Sequence, residues 1–130
     1  MHKLLCILIL SGALFISCRG ELTPEEFASL TAKGYYEHLA AGEYDDFLDG
    51  VSGVKEAPDD YRLQHRVAME QYMKRVKQQH GGISSVEVSS AKTDSTLHCT
   101  NVFLILCFGD STKEEVCVPM VQKDGVFLMR

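Results

Sequence analysis

The sequence predicts an α+β domain in which helices come first and a four-stranded antiparallel sheet follows. Between residues 24 and 80, apolar side chains recur with the period of an α-helix. After Gly81 and Gly82 the period changes to two, and turn-forming segments divide the remaining sequence into four strands. A chain of 130 residues is long enough for one domain with a hydrophobic core, but not for two.

The first predicted helix runs from about Pro24 to Ala41. Thr23 is its expected N-cap, and Glu26, three residues later, completes a capping box. Pro24 stands in the first turn, where its missing N–H has no cost. Gly42 is the expected C-terminal stop. One face of this helix carries the apolar residues Ala28, Ala32, Tyr35, Tyr36 and Leu39.

Two more helices are predicted before the sheet. A short one lies within residues 43–51 (EYDDFLDGV), and a loop follows over residues 50–57. A long helix begins near Pro58 and ends at Gly81 and Gly82. Its expected core-facing positions follow a regular helical spacing: Tyr61, His65, Ala68, Met69, Tyr72, Met73 and Val76.

Four strands are predicted after residue 82. They cover ISSVEVSS (83–90), with Val86 and Val88 inward, then LHCTNVFLILCF (97–108), EEVCVPMVQ (114–122) and VFLMR (126–130). Asp124 and Gly125 are typical of a tight hairpin turn between the last two strands. Pro119 has no N–H, so the third strand should be an edge or carry a bulge at that position.

The N-terminus has the pattern of a signal peptide. Residues 4–16 carry no charge and follow Lys3, and they are fewer than the roughly 20 residues of a membrane-spanning helix. The following Phe15-Ile16-Ser17-Cys18 resembles the lipobox of bacterial lipoproteins. That resemblance implies a signal peptide over residues 1–17, acyl chains on Cys18, a tether over residues 18–22 and a domain over residues 23–130. The alternatives are an ordinary secretory signal and a retained anchor helix.

Three segments of the domain resemble one family of small envelope lipoproteins. They are YYEHLAAGEYDDFLDGV (35–51), KQQHGGISSVEV (77–88) and VQKDGVFLM (121–129), with Phe127 where that family usually has tryptophan. The family carries a nuclear-transport-factor-2-like (lumazine-binding-like, cystatin-like) domain. The resemblance implies a cone in which the curved sheet wraps the long helix and leaves a pocket at the wide end. The candidate pocket residues are Tyr36, Tyr44, His65, Tyr72 and Asn101.

The sequence predicts binding rather than catalysis. No zinc-protease, CxxC, phosphate-loop, calcium-loop or nucleophile-elbow motif is present, so we predict no metal and no cofactor. A net charge of −5 argues against nucleic acid as a partner. We predict a domain that is lipid-anchored in the bacterial cell envelope and binds a small apolar ligand or an envelope protein. The alternative is an acid–base enzyme of the isomerase or dehydratase type, for which Asp49 is a further candidate base.

Three further expectations concern partners, charge and cysteines. The resemblance implies a homodimer through the open face of the sheet, and Arg19 in place of an acidic residue favours the outer membrane. Residues 21–60 are acidic and residues 61–80 are basic, so the long helix either faces anionic lipid or is paired with the acidic segment. Cys99, Cys107 and Cys117 are either three buried thiols or one disulfide with a buried free thiol.

Overall fold

The structure of the protein is a computed structural model that describes residues 21–130. The predicted signal peptide and Cys18 lie outside the described residues. Three helices precede four strands, which confirms the predicted α+β class. The elements are α1 (Pro24–Ala40), α2 (Tyr44–Leu48), α3 (Asp59–His80), β1 (Ile83–Asp94), β2 (Cys99–Phe108), β3 (Lys113–Lys123) and β4 (Val126–Met129).

Helix α1 begins and ends where the sequence predicts. The Thr23 hydroxyl accepts a hydrogen bond from the backbone N–H of Glu26 at 3.2 Å, which is the expected N-cap. Ala28 and Ala32 are fully buried, because their small side chains let the helix backbone lie close to the sheet. After Ala40 the chain turns at Gly42, whose φ of +78° is a conformation that glycine adopts without strain.

Helix α3 is less buried than its sequence pattern predicts. Met73 and Val76, in its C-terminal half, are buried, but Tyr61 and Ala68 are exposed and do not reach the core as predicted. The reason is that α1, rather than α3, occupies the inner face of the sheet. The N-terminal half of α3 therefore projects beyond the core and also exposes Leu63 and Val67.

The four strands form an antiparallel meander in the order β1-β2-β3-β4. Strand β1 continues to Asp94, four residues beyond its predicted end at residue 90. The Asp94 carboxylate stabilises the following turn by accepting hydrogen bonds from the N–H groups of Thr96 and Leu97. Val88 faces the inner side of the sheet as predicted, since it pairs with the fully buried Leu104, but it is 39% exposed and does not reach the core. The Asp124-Gly125 turn is confirmed, with both φ angles positive.

Pro119 lies in β3 beside the end of β4. Its carbonyl accepts a hydrogen bond from the N–H of Arg130 at 2.9 Å. The nitrogen and the carbonyl of one strand residue point to the same side, so the Pro119 nitrogen also points toward Arg130. Arg130 lies beyond Met129, which forms the last β3–β4 pair with Met120. The proline therefore removes no hydrogen bond from the paired part of the sheet. This agrees with the prediction that the third strand behaves as an edge at this position.

The hydrophobic core lies between α1 and one face of the sheet. Alternate residues of β2 point to this inner face, where Val102, Leu104 and Leu106 are fully buried, and Met120 of β3 joins them. The intervening residues of β2, including Phe103 and Ile105, are half-buried on the outer face. Strand alternation thus divides one apolar sequence into a core face and a second, partly open face.

The cysteines differ from both sequence expectations. Cys99, Cys107 and Cys117 are all free thiols, and only Cys99 is buried, whereas Cys107 is half-buried and Cys117 is exposed. Because Cys107 and Cys117 lie on the outer face of the sheet, they do not enter the core.

Of the helices within residues 21–130, none combines the length and the hydrophobicity that a membrane span requires.

Candidate functional site

A mainly apolar cavity of about 330 Å³ opens between the helices and β3. Side chains of α1, α2 and α3 line it, together with Val51 and with Val116 of β3. Three of its apolar lining residues, Leu39, Phe47 and Leu48, also belong to the hydrophobic core. The lining residues are Tyr36, Leu39, Phe47, Leu48, Val51, His65, Met69, Tyr72 and Val116.

Three of the five predicted pocket residues meet in this cavity. Tyr36 comes from α1, whereas His65 and Tyr72 lie seven residues apart, two turns, on one face of α3. The rings of Tyr36 and Phe47 are perpendicular to each other, with their centroids 5.6 Å apart. The ring of His65 packs against that of Tyr61, with 4.6 Å between the centroids.

Both cavity tyrosines remain neutral in ordinary conditions. Burial raises the pKa of Tyr36 above 10.0, and the nearby Tyr72 raises it further. Burial also raises the pKa of Tyr72, with Glu114 adding to the shift and Arg75 opposing it. The two phenols are therefore hydrogen-bonding groups in an apolar wall, and neither is suited to act as a base at neutral pH.

The ionisable side chains that line the cavity are Tyr36, His65 and Tyr72. No carboxylate is among its lining residues. Within residues 21–130, the side-chain hydrogen bonds of tyrosine and histidine join Tyr35 to Phe127, His38 to Glu43 and His80 to Asp110. Among these described residues, His65 has neither a carboxylate partner nor a hydrogen bond to a cavity tyrosine.

The other predicted candidates lie elsewhere. Tyr44 lines a separate depression with Lys74 and Lys77, next to the end of α1. Asn101 is on the outer face of the sheet, because odd-numbered residues of β2 point away from the helices. Asp49 follows α2 and forms an ion pair with Arg62 at 3.0 Å. The prediction that Tyr44 and Asn101 line the pocket is therefore wrong. Tyr44 faces another side of its helix, and Asn101 lies on the opposite face of the sheet.

The acidic segment is paired with part of the basic helix. Besides its bond to Asp49, Arg62 donates hydrogen bonds to the carbonyls of Val54 and Lys55. Arg66 lies 3.4 Å from Asp45 and 3.1 Å from Glu70. These contacts support the pairing interpretation for the first two turns of α3, where the charges of the helix and of α2 complement each other.

The apolar lining of the cavity was missed at the sequence level. Phe47 and Leu48 belong to a short helix whose orientation no periodicity fixes over five residues. Val51 joins them because the backbone of residues 50–52 pairs with Met129 of β4. That pairing connects parts of the chain that are distant in sequence, so local patterns carry no sign of it.

Comparison with known proteins bears on the fold alone. No protein-family model matches the sequence, and the curated proteins contain no match to it. One solved structure is similar: a Campylobacter jejuni protein described as a candidate NTF2-like (nuclear-transport-factor-2-like) transpeptidase. It matches with a TM-score of 0.59 and 12% identity, over 75% of this chain and 92% of that chain. At this identity the likeness establishes architecture and not activity. The chain has a nuclear-transport-factor-2-like fold.

Proposed function

We propose that the protein is a lipid-anchored envelope domain that binds a small, largely apolar molecule in the cavity between Tyr36, His65 and Tyr72. The observation that carries this proposal is an apolar cavity of about 330 Å³ with two neutral phenols in its wall. Its volume is at the lower end of the roughly 300–1,000 Å³ of small-molecule sites. A ligand with one hydrogen-bonding group and an apolar body suits this lining.

The proposed localisation in the cell envelope is supported by the sequence pattern around Cys18. An apolar segment without charge ends at Phe15-Ile16-Ser17-Cys18, and the described domain begins a few residues later. Two or more acyl chains would anchor the domain firmly, because each buried methylene adds about 0.8 kcal/mol. Mass spectrometry of the mature N-terminus tests this part: we expect an acylated Cys18, and an unmodified or differently processed N-terminus would refute it.

Ligand binding is tested with a fluorescent apolar probe, N-phenyl-1-naphthylamine. The experiment uses residues 21–130, which contain every described element of the fold. Without the acyl chains, this segment needs no detergent. We expect saturable fluorescence enhancement that Val116→Trp abolishes by filling the cavity. Val126→Trp is the matched control, because Val126 is 43% exposed and lies outside the cavity.

Two outcomes would decide against a ligand site. Equal enhancement in Val116→Trp and Val126→Trp would show that the probe binds elsewhere, and no enhancement in the unmutated protein would show that the cavity does not take apolar molecules. If Val116→Trp does not fold, Met69→Trp fills the same cavity from α3.

The enzymatic alternative has less support. An acid–base enzyme would have to rely on His65 alone, because no carboxylate lines the cavity. The transpeptidase description belongs to the Campylobacter protein and offers no residue to transfer at 12% identity. Within residues 21–130, the hydrogen bonds of the serine hydroxyls go to backbone carbonyls, as in Ser29 and Ser84, and not to histidine.

A further inference from the structure

Three side chains with metal-binding atoms converge where α1 passes into α2. His38 stands in the last turn of α1, Glu43 precedes α2, and Asp46 lies within it. The Nδ1 atom of His38 is 3.0 Å from Oε1 of Glu43 and 4.0 Å from Oδ2 of Asp46. One nitrogen and two carboxylate oxygens lie within 4.8 Å of one another.

The backbone holds these three positions together. The N–H of Glu43 donates to the carbonyl of His38 at 2.9 Å, and that of Ala41 donates to Glu37 at 3.0 Å. Gly42 makes the reversal between the helices with its positive φ. The Cα positions of His38 and Glu43 are thus fixed by main-chain hydrogen bonds, while all three side chains stay about half exposed and free to adjust.

The charges at this corner are unbalanced. Asp45 and Asp49, on the side of α2 that faces α3, have arginine partners within 4.0 Å. Among the described residues, Glu43 and Asp46 have no lysine or arginine within that distance, and share only His38. Two carboxylates that converge on one imidazole repel each other, and a divalent cation between them would remove that repulsion.

We propose that His38, Glu43 and Asp46 form a binding site for a divalent transition-metal ion of the zinc class. Imidazole nitrogen together with carboxylate oxygen is a donor set that Zn²⁺ accepts, whereas Mg²⁺ and Ca²⁺ prefer oxygen alone. Bonds of about 2.1 Å in a tetrahedral site place donor atoms about 3.4 Å apart. The Asp46 oxygen therefore needs only a small rotamer change, and the exposed side keeps room for water or a fourth ligand.

Metal at this corner would also act on the cavity. Asp46 directly precedes Phe47 and Leu48, two of the cavity walls, and His38 directly precedes Leu39, a third. A metal bound to His38 and Asp46 would fasten the five-residue helix α2 to the end of α1. The metal site shares no residue with the cavity, so the metal proposal can be tested independently of the ligand proposal.

Calorimetric titration of the full chain with Zn²⁺ tests the site. All cysteines other than the buried Cys99 are first replaced by serine, because an accessible thiol would bind zinc on its own. We expect one site, with affinity weakened by roughly tenfold or more in His38→Gln and Asp46→Asn, since loss of even an outer partner of a metal ligand costs about that much. Asp45→Asn is the matched control: it removes the same charge one residue away, and its affinity should stay within about twofold.

Every outcome of this titration bears on the proposal. Absence of Zn²⁺ binding in the parent chain would overturn it, as would equal weakening by Asp45→Asn and Asp46→Asn, which would indicate only general attraction to acidic charge. Binding of Mg²⁺ as tight as that of Zn²⁺ would also count against it, because the imidazole would then contribute nothing. A Zn²⁺-dependent rise in melting temperature that disappears in Asp46→Asn supports it independently of calorimetry.

Discussion

The ring of Tyr35 lies directly against the backbone of Gly50. A Cβ built at Gly50 would come within 2.5 Å of the Tyr35 ring, and the Tyr35 hydroxyl donates a hydrogen bond to the carbonyl of Phe127 at 2.9 Å. One tyrosine thereby ties α1 to the segment after α2 and to β4. Gly50 also accepts the N–H of Met129 at 2.6 Å, so three parts of the chain meet at one glycine.

This contact predicts that Gly50→Ala is destabilising. The added methyl group must displace the Tyr35 ring and with it the bond to Phe127, which we expect to cost about 1–3 kcal/mol in the free energy of unfolding. Gly34→Ala in α1 is the control, because a Cβ there meets nothing within 4 Å and should stabilise the helix by about 0.5–1 kcal/mol. Urea denaturation measures both. If Gly50→Ala costs as much in a Tyr35→Ala background as alone, the ring is not the cause.

The turn after β2 predicts a pH-dependent contribution to stability. Hydrogen bonds from Thr112, and then one from His80, hold the pKa of Asp110 at about 2 instead of 3.8. A carboxyl whose pKa is lower in the folded state stabilises the fold when ionised, so its contribution is complete above pH 3.8 and is lost as the pH falls toward 2.

Asp110→Asn measures this contribution. The variant should be less stable than the parent protein at pH 6, and the difference should shrink as the pH approaches 2. Asp124→Asn removes a carboxylate from another hairpin turn and is the matched control. A difference between Asp110→Asn and the parent protein that stays constant over this range would contradict the assignment.

The exposure of the thiols predicts their order of reaction. Of the three described cysteines, a brief pulse of iodoacetamide on the folded protein, followed by peptide mass spectrometry, should label Cys117 first and Cys107 more slowly, because Cys117 is exposed and Cys107 is half-buried. Cys99 is 4% exposed and should react after unfolding in denaturant. Early labelling of Cys99 would indicate that the end of β2 opens readily in the native state.

The homodimer through the sheet stays a prediction, and Ile105 offers a direct test of it. Ile105 is central on the outer face, between Glu87 of β1 and Glu115 of β3. If two copies pair through this face, light scattering should give twice the monomer mass, and Ile105→Asp should return it to one monomer by adding charge to the contact. Leu30→Asp, on the exposed side of α1, should leave the mass unchanged.

The sequence by itself determined the order of the elements and several of their ends. The Thr23 cap, the Gly42 and Gly81 stops and the Asp124-Gly125 turn are set by interactions among residues close in the chain, which local patterns record. The core face of β2 could not be chosen in this way, because Val102, Leu104 and Leu106 alternate with Phe103 and Ile105, which are also apolar. The family resemblance also led to Tyr36, His65 and Tyr72 as candidate pocket residues, and all three line the cavity.

The tertiary structure alone decided which helix covers the sheet and what lines the cavity. Helices α1 and α3 both have an apolar stripe, but only α1 has the fully buried Ala28 and Ala32 that allow close packing, so α3 was left with Tyr61 exposed. Asn101 was assigned to the wrong side because strand parity depends on register. The contact between residues 50–52 and Met129 joins parts of the chain that are far apart in sequence, so no local spacing encodes it.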